Sequence, residues 1–406
     1  MRYYIGLDWA DQEHAIWVED EAGRKVLGQR LPHTASAWSE WGRWLHERRA
    51  DGIELWAAIE RPDGRMVDFV LDRGVVVYPI NPKALDRARD RFRPSGSKSD
   101  PFDAQVLAGF LRTDHGHLRP LAPNSEAAQE LKGLTRDYQR QVRLRTRLLN
   151  QLTVTLKEYY PRALEIGEDL TSPWTWAFLR AYPTPAAAAE LTARRWAGWA
   201  RPHRLRASRI ADVAARLAQP QLPVPAHVVR VLTRRVDVLV GELAVAHAAV
   251  EAYRQAIDDF FASMPAAKWA RSLPAGQSGV TVPTLWAELG DAPGRWQSFR
   301  HLQAHGGAVP VTERSGKQHW VHFRFACNLH LRHAVHQFAF QSLRHSDWAR
   351  AYYDAYRKRG HDHAAALRAL GAKWLKIIFV MWRRQVPYDE MHHLATIARQ
   401  RLRQAA

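Results

Sequence analysis

Four carboxylates in the first 112 residues occupy positions suited to binding a divalent cation. Asp8 lies inside a short apolar run, where an ionised side chain is costly to bury unless it is paired or bound to a metal. Glu60 ends another apolar run, and Asp100 and Asp103 lie at a helix start, three residues apart and so on one helical face. Hard oxygen ligands of this kind suit Mg²⁺ or Mn²⁺, and such ions assist cleavage of phosphodiesters.

Each of these acids also has an ordinary structural role open to it. Asp100 can cap a helix, Asp103 can be a favourable acid in its first turn, and Glu60 can pair with Arg61 or another cation. Taken together in a strongly basic protein, the four acids favour a metal site.

The charge of the chain indicates which polymer it binds. Lys and Arg number 59 and Asp and Glu 41, a formal net charge of +18. Residues 1–112 have a net charge of −1, residues 113–265 of +6 and residues 266–406 of +13. Phosphate backbones are bound mainly through charge neutralisation, so we expect nucleic acid as partner and the last third as the part that holds it.

Composition excludes several other classes of protein. A hydrophobic fraction of 46% and a charged fraction of 25% are ordinary for a globular protein. No run approaches the roughly 20 apolar residues of a membrane span, and we read no secretion signal at the N-terminus. The single cysteine, Cys327, excludes an intrachain disulfide framework and a cysteine-rich zinc module. We expect a soluble intracellular protein without a membrane partner.

Alternating strand and helix patterns in the first 112 residues predict an α/β domain with a mixed sheet that positions the acids. In such a sheet the first and fourth strands can be neighbours, which would bring Asp8 and Glu60 together beside the helix of Asp100 and Asp103. The predicted strands cover residues 3–9, 14–19, 25–31, 53–59 and 75–80, and the predicted helices 34–49, 65–73, 83–91 and 101–111.

The rest of the chain is predicted to be mainly helical. One long helix covers residues 126–160, and apolar residues from Leu232 to Phe260 follow coiled-coil spacing. These two helices can pack on each other within one chain or pair between chains. The predicted domains are residues 1–115, 116–265 with an irregular insertion at about 161–225, and 266–406, made of short helices and loops that close with a helix over 364–384.

Several short motifs resemble those of one family, in the same order. Gly6-Leu7-Asp8-Trp9, Ala58-Ile59-Glu60-Arg61-Pro62 and Lys98-Ser99-Asp100-Pro101-Phe102-Asp103-Ala104 resemble the DEDD motif of bacterial insertion-sequence transposases with a RuvC-like N-terminal domain. These are relatives of the Piv invertase and include the bridge-RNA-guided recombinases. Later segments are similar to the family's C-terminal domain: Leu273-Pro274-Ala275-Gly276, Glu288-Leu289-Gly290-Asp291, Ala304 to Pro310 with Arg314-Ser315-Gly316-Lys317, and Cys327-Asn328. The segment Ala275 to Gly279 has a looser glycine pattern than the family's.

The resemblance implies a recombinase that cuts and rejoins DNA. Asp8, Glu60, Asp100 and Asp103 would bind Mg²⁺ or Mn²⁺ in an RNase H-like domain. Ser315 would be the nucleophile and form a covalent phosphoserine link to donor and target DNA. A non-coding bridge RNA would choose the DNA sites. A homo-oligomer, a dimer or tetramer, would build one active site from domains of different subunits, and the long helices would serve assembly.

The chemistry around Ser315 supports this implication in part. A serine hydroxyl is a weak nucleophile until a base or a metal activates it, and no base is evident nearby. Its neighbours Arg314, Lys317 and His319 suit phosphate binding instead, and a metal from the acidic domain would supply the activation. Further on, Arg324 and Arg332 are also predicted to bind nucleic acid. Ser-Gly pairs are commonly turns, and Ser278 is a less favoured rival nucleophile.

Three histidines at helical spacing invite a zinc interpretation. His330, His333 and His336 lie along one predicted helix, but no cysteine or carboxylate partner is evident near them. We interpret them as part of a basic surface, interleaved with aromatic residues, that faces DNA or RNA.

Two other functions compete with the recombinase. A RuvC-like junction nuclease would hydrolyse DNA with water, so Ser315→Ala would keep strand cleavage. A purely architectural nucleic-acid-binding protein would respond to Asp8→Ala or Asp103→Ala only in affinity. An actin-like sugar kinase fits Gly6-Leu7-Asp8 but lacks later phosphate loops, and we discard it.

Overall fold

The computed structural model describes residues 1–10, 12–62, 64–92, 99–166, 169–217, 219, 223–277, 279–292, 294–316 and 318–405. The predictions made for Lys98, Ser278 and Lys317 lie outside these residues. The chain divides into two compact units: Met1–Asn124 with Ala292–Arg295, and Ser125–Asp291 with Trp296–Ala406. Within the described residues, no helix has the length and apolar character needed to cross a membrane.

The first unit is built on a mixed five-stranded sheet in the order β3-β2-β1-β4-β5. β1 pairs antiparallel with β2 and parallel with β4, so the first and fourth strands are neighbours. The predicted mixed sheet is therefore confirmed. Its strands are β1 (Arg2–Asp8), β2 (Glu13–Glu19), β3 (Lys25–Pro32), β4 (Glu54–Ile59) and β5 (Val76–Pro79).

Helices cover both faces of this sheet because side chains of the central strands alternate between two apolar cores. Ile5 and Leu7 belong to one core, and Tyr4 and Ala58 to the other, which also contains Leu107 of the fourth helix. The helices of this unit are α1 (Ala35–Ala50), α2 (Arg65–Leu71), α3 (Pro82–Phe92) and α4 (Asp100–Asp114), and a short 3₁₀ turn (His115–His117) follows.

Two long helices, α5 (Glu126–Tyr159) and α11 (Ala226–Ser263), pack on each other within the chain. Leu131 near the start of α5 shares a core with Phe261 near the end of α11. At the other end, Leu156 of α5 shares a second core with Leu232 of α11, so the two helices run antiparallel. Of the two open alternatives, the structure shows packing within one chain.

The segment between the long helices is more regular than expected. Its short helices surround a core of buried aromatic residues, including Trp176, Phe178 and Trp196, against the ends of α5 and α11. These helices are α6 (Pro161–Ile166), α7 (Pro173–Ala181), α8 (Pro185–Ala189), α9 (Ala193–Ala200) and α10 (Ala207–Leu217).

The C-terminal region is mainly helical, with two differences from the expectation. A two-stranded hairpin interrupts the helices, and a further helix follows the one predicted to close the chain. Its core contains Phe338 and Trp374, and the Trp374 indole donates a hydrogen bond to Ser342 Oγ at 2.9 Å. The elements are α12 (Ala267–Ala270), α13 (Thr281–Leu289), α14 (Phe299–His305), β6 (Val311–Ser315), β7 (Gln318–His322), α15 (Leu329–Ser342), α16 (Asp347–Lys358), α17 (His363–Arg384) and α18 (Glu390–Ala405).

Candidate active site

Two of the predicted acids lie side by side at one edge of the sheet. The parallel register pairs Leu7 of β1 with Ile59 of β4, which places Asp8 and Glu60 next to each other where these strands end. Alternation along β1 puts Asp8 on the same face as Tyr4, the face that α4 covers. Both acids are partly exposed. The structure thus brings these two acids together at the strand ends.

The other two acids begin α4, which lies against β1. Asp100 is exposed, whereas Asp103 is buried, with 2% of its surface accessible. The close approach of α4 depends on Gly6, because a Cβ atom at this position would stand 1.8 Å from the carbonyl oxygen of Ala104. Gly6 thus lets the helix that carries Asp103 lie directly over the strand that carries Asp8.

The guanidinium of Arg89 in α3 forms an ion pair with the carboxylate of Asp103. The Arg89 Nε donates to Asp103 Oδ1 at 2.6 Å and Nη2 donates to Oδ2 at 2.9 Å, a bidentate ion pair. Arg89 also contacts Asp86. The hydrogen bond to Asp103 raises the pKa of Arg89, and the charge of Glu60 acts in the same direction. Sequence reasoning missed Arg89, since no local pattern distinguishes it from the other arginines of α3.

The acidic residues do not fit a metal ion as they are arranged here. Carboxylate oxygens are the ligands that Mg²⁺ and Mn²⁺ prefer, so the chemistry of the donor set is suitable. However, both oxygens of Asp103 accept hydrogen bonds from Arg89. Among the residues that the structure describes, no group of three or more His, Cys, Asp or Glu side chains is placed to hold a metal.

Ser315 lies at the tip of the β6–β7 hairpin. It is the last residue of β6, pairs with Gln318 of β7 and is exposed. Gly316 follows it with φ of 56°, in the left-handed region that glycine adopts without strain. The hydroxyl is therefore accessible on a tight turn.

The cations around Ser315 are distributed differently from the expectation. Arg314 pairs with His319 across the hairpin, and alternation places both on the face opposite to Ser315. Arg324 donates from Nε to the Val309 carbonyl at 3.1 Å. Arg332 contacts the Arg324 carbonyl and lies 4.7 Å from the centre of the Phe323 ring. Arg324 and Arg332 therefore stabilise the segments that precede and follow the hairpin.

The three histidines of α15 lie near arginine side chains. His330 shares a hydrogen bond with Gln139 of α5, 2.7 Å from Nδ1 to Oε1. Burial lowers the pKa of His330, His333 and His336, and nearby arginine charges lower it further for each of them. Both effects disfavour the charged form of these rings.

Two of the C-terminal motifs meet at a buried carboxylate that sequence reasoning did not single out. Glu288 of α13 is 1% exposed and accepts hydrogen bonds from Arg136 Nε at 2.8 Å and Asn328 Nδ2 at 2.8 Å. Burial alone would raise the pKa of Glu288, but the hydrogen bond and charge of Arg136 outweigh it and lower the pKa. This cluster joins α5, α13 and the start of α15.

Comparison with known proteins identifies the family. A profile of DEDD transposases of the IS110 type matches residues 5–161, and a profile of the IS116/IS110/IS902 transposase family matches residues 271–354. The chain is 32% identical to a protein of Streptomyces coelicolor described as a mini-circle transposase for IS117, over 97% of each chain. The chain belongs to the IS116/IS110/IS902 family of transposases.

Other relatives agree with this assignment. The transposase is 36% identical to the transposase y4uE of Sinorhizobium fredii, over 50% of its own length and 57% of the relative's. It is 27% identical to a 43.6 kDa protein of insertion element IS110 of Streptomyces coelicolor, over 95% of each chain. The family identifies an enzyme that acts on DNA, so DNA is a partner of this chain, and it does not favour the junction-nuclease alternative.

Proposed function

We propose that this transposase cuts the strands of a mobile element and its target and rejoins them through Ser315. The observation that carries the proposal is the exposed Ser315 hydroxyl at the hairpin tip, within a segment that the transposase profile covers. The Ser315 oxygen bonds to the phosphorus as the bond from phosphorus to the adjoining nucleotide oxygen breaks. The serine proton passes to water, and the departing nucleotide oxygen takes up a proton and leaves as a free hydroxyl. The DNA is then held as a phosphoserine ester, and the reverse reaction with another strand end rejoins it.

The four acids have a proposed role as metal ligands. Asp8, Glu60, Asp100 and Asp103 bind Mg²⁺ or Mn²⁺ in a form of the site in which Arg89 has released Asp103. The neighbouring strand ends of Asp8 and Glu60, and the position of α4 on the same sheet face, support this set. We also retain the RNase H-like assignment of this domain as part of the proposal.

The remaining proposed partners follow from the resemblance and the charge. Residues 1–115 carry the acids, 116–265 serve assembly of a dimer or tetramer, and 266–406 carry the serine and bind DNA with Arg314, Lys317, His319, Arg324 and Arg332.

A non-coding guide RNA selects donor and target sites in the bacterial cytoplasm. Purification from cells that carry the native flanking DNA tests guidance: one discrete co-purifying RNA supports it, and only salt-sensitive bulk nucleic acid contradicts it.

Cleavage of DNA that carries the element ends tests the serine. We expect Ser315→Ala to abolish strand cleavage, because the described strands of the hairpin hold no other hydroxyl at the tip. Thr312→Ala is the matched control, because Thr312 is an exposed hydroxyl on the same strand, on the opposite face. Cleavage that persists in Ser315→Ala would instead indicate attack by water, as in a nuclease.

A further inference from the structure

A groove lies at the base of the hairpin that carries Ser315. Its volume is about 590 Å³, and it is bordered by the end of β7, the segment 307–310 and helices α14, α16 and α17. This volume falls in the range of pockets that enclose small molecules, and it is sufficient for an unpaired base with its sugar and phosphate. All of these elements belong to the second compact unit.

The groove has a strongly positive lining. Arg324, Arg368, Lys373 and Lys376 line it, and no Asp or Glu stands among its described lining residues. Lys373 and Lys376 are exposed, and the ion pairs found in the described part of the chain include neither of them nor Arg368. The charge of these three residues is therefore available to an anionic ligand.

Aromatic rings form the second component of the groove. Tyr352 and Tyr356 of α16 are stacked with their centres 5.9 Å apart, and His361 continues the stack 4.4 Å from Tyr356. Phe323 is 40% exposed, with Arg368 5.2 Å from its ring centre. Small residues of α17, Ala365, Ala369 and Ala372, complete the lining of the groove.

We infer that this groove binds a single strand of nucleic acid, with phosphates on Arg368, Lys373 and Lys376 and a base against the aromatic rings. Cations without acids select a polyanion, and aromatic faces select unpaired bases, since a base inside a duplex has no free face. An acidic peptide would satisfy only the charges. The inference rests on the proposed function and deepens it. The groove and Ser315 lie at opposite ends of β7, which spans about 14 Å. A strand held here would be directed along the hairpin toward Ser315.

Binding measurements on the full chain test the inference. Fluorescence anisotropy with labelled single-stranded DNA, single-stranded RNA and duplex DNA is compared for the chain with an unchanged groove and for the triple variant Arg368→Gln, Lys373→Gln, Lys376→Gln. All proteins carry Ser315→Ala, so that the readout is independent of the serine chemistry and of its failure. The matched control removes three exposed cations that do not line the groove: Arg344→Gln, Arg350→Gln and Lys358→Gln.

We expect the groove variant to bind single strands at least about 10-fold more weakly and the slope of log affinity against log salt to fall by about 2. The control should lose far less affinity, and duplex binding should change little in both. A loss confined to RNA or to DNA identifies which strand occupies the groove. Equal losses in groove and control variants, or a loss confined to the duplex, would overturn the inference.

A second variant separates stacking from charge. Tyr356→Leu keeps an apolar side chain but removes a ring, so we expect several-fold weaker binding of single strands with an unchanged salt slope. Unchanged affinity for both single strands would contradict a base against these rings. Circular dichroism and thermal unfolding verify that each variant is folded.

Discussion

At the scale of single side chains, the key contact of the acidic residues is the ion pair between Arg89 and Asp103. Asp103 is almost fully buried, and a buried carboxylate needs a cation or several hydrogen-bond donors. Arg89 supplies a positive charge and donates two hydrogen bonds to Asp103. A divalent cation would satisfy the same need, so at the proposed metal site Arg89 and the metal would compete for one carboxylate. Metal binding at this site thus requires the guanidinium to move.

This competition predicts the behaviour of Arg89→Gln. Without metal, the variant leaves Asp103 buried without its cation and should be less stable by about 3–5 kcal/mol. Mn²⁺ should raise its melting temperature by about 3 °C more than that of wild type, because the carboxylate is then free to bind it. Calorimetric titration with Mn²⁺ gives the affinity independently of activity. Arg91→Gln, on the same helix but paired with Asp114, is the control. An equal or smaller Mn²⁺ effect in Arg89→Gln would contradict the competition.

Gly6 gives a second prediction at this scale. A methyl group in Gly6→Ala would meet the backbone of Ala104, which cannot move without displacing α4. We expect a loss of about 3 kcal/mol or more in unfolding free energy, measured by chemical denaturation. Gly133→Ala is the control, since no atom lies within 4 Å of its added Cβ in α5, and it should be neutral or up to about 1 kcal/mol stabilising. Equal stability of the two variants would show that α4 does not need Gly6.

At the scale of elements, the sequence predicted what depends on local pattern. Short apolar runs rich in strand formers located the five strands of the sheet, and helical spacing of apolar residues located α5 and α11. Burial of consecutive residues produces such a run in the central strands, and burial of one face produces the spacing in the helices. The β6–β7 hairpin was not predicted, because its residues are almost all exposed and carry no apolar alternation. The Arg89–Asp103 ion pair was not predicted for a different reason. Its two residues lie on separate helices, and only the tertiary fold brings them together.

The Glu288 cluster predicts how the contact between α5 and α13 responds to pH. Because the folded-state pKa of Glu288 is lowered, its charge stabilises the fold at neutral pH, and this contribution is lost as the pH falls through that pKa. Glu288→Gln should therefore lower stability by about 2 kcal/mol at pH 7, with the difference from wild type shrinking at pH values below the usual carboxyl range.

Thermal unfolding across this pH range provides the measurement for Glu288. Glu242→Gln, which changes an exposed acid of α11, should have little effect at any pH. A difference for Glu288→Gln that stays constant down to the acid range would contradict a charge-dependent role.

At the scale of the whole molecule, charge is separated along the chain. Residues 1–112 have a net charge of −1, whereas residues 266–406 have +13. We therefore expect DNA binding by the full chain to weaken steeply with salt, by roughly 1,000-fold between 50 and 200 mM KCl if about six phosphates are neutralised. Anisotropy titrations with duplex DNA measure this, and a flat salt dependence would contradict binding through the basic C-terminal region.

The chemical identity of the protein–DNA link tests the proposed serine mechanism most directly. The transposase is incubated with DNA that carries the element ends, denatured, digested and analysed by mass spectrometry for a peptide bearing a nucleotide. The serine mechanism predicts the nucleotide phosphate on Ser315 of wild type, its presence in Thr312→Ala and its loss in Ser315→Ala. Cleaved DNA without any covalent link, or a link to another residue, would contradict it.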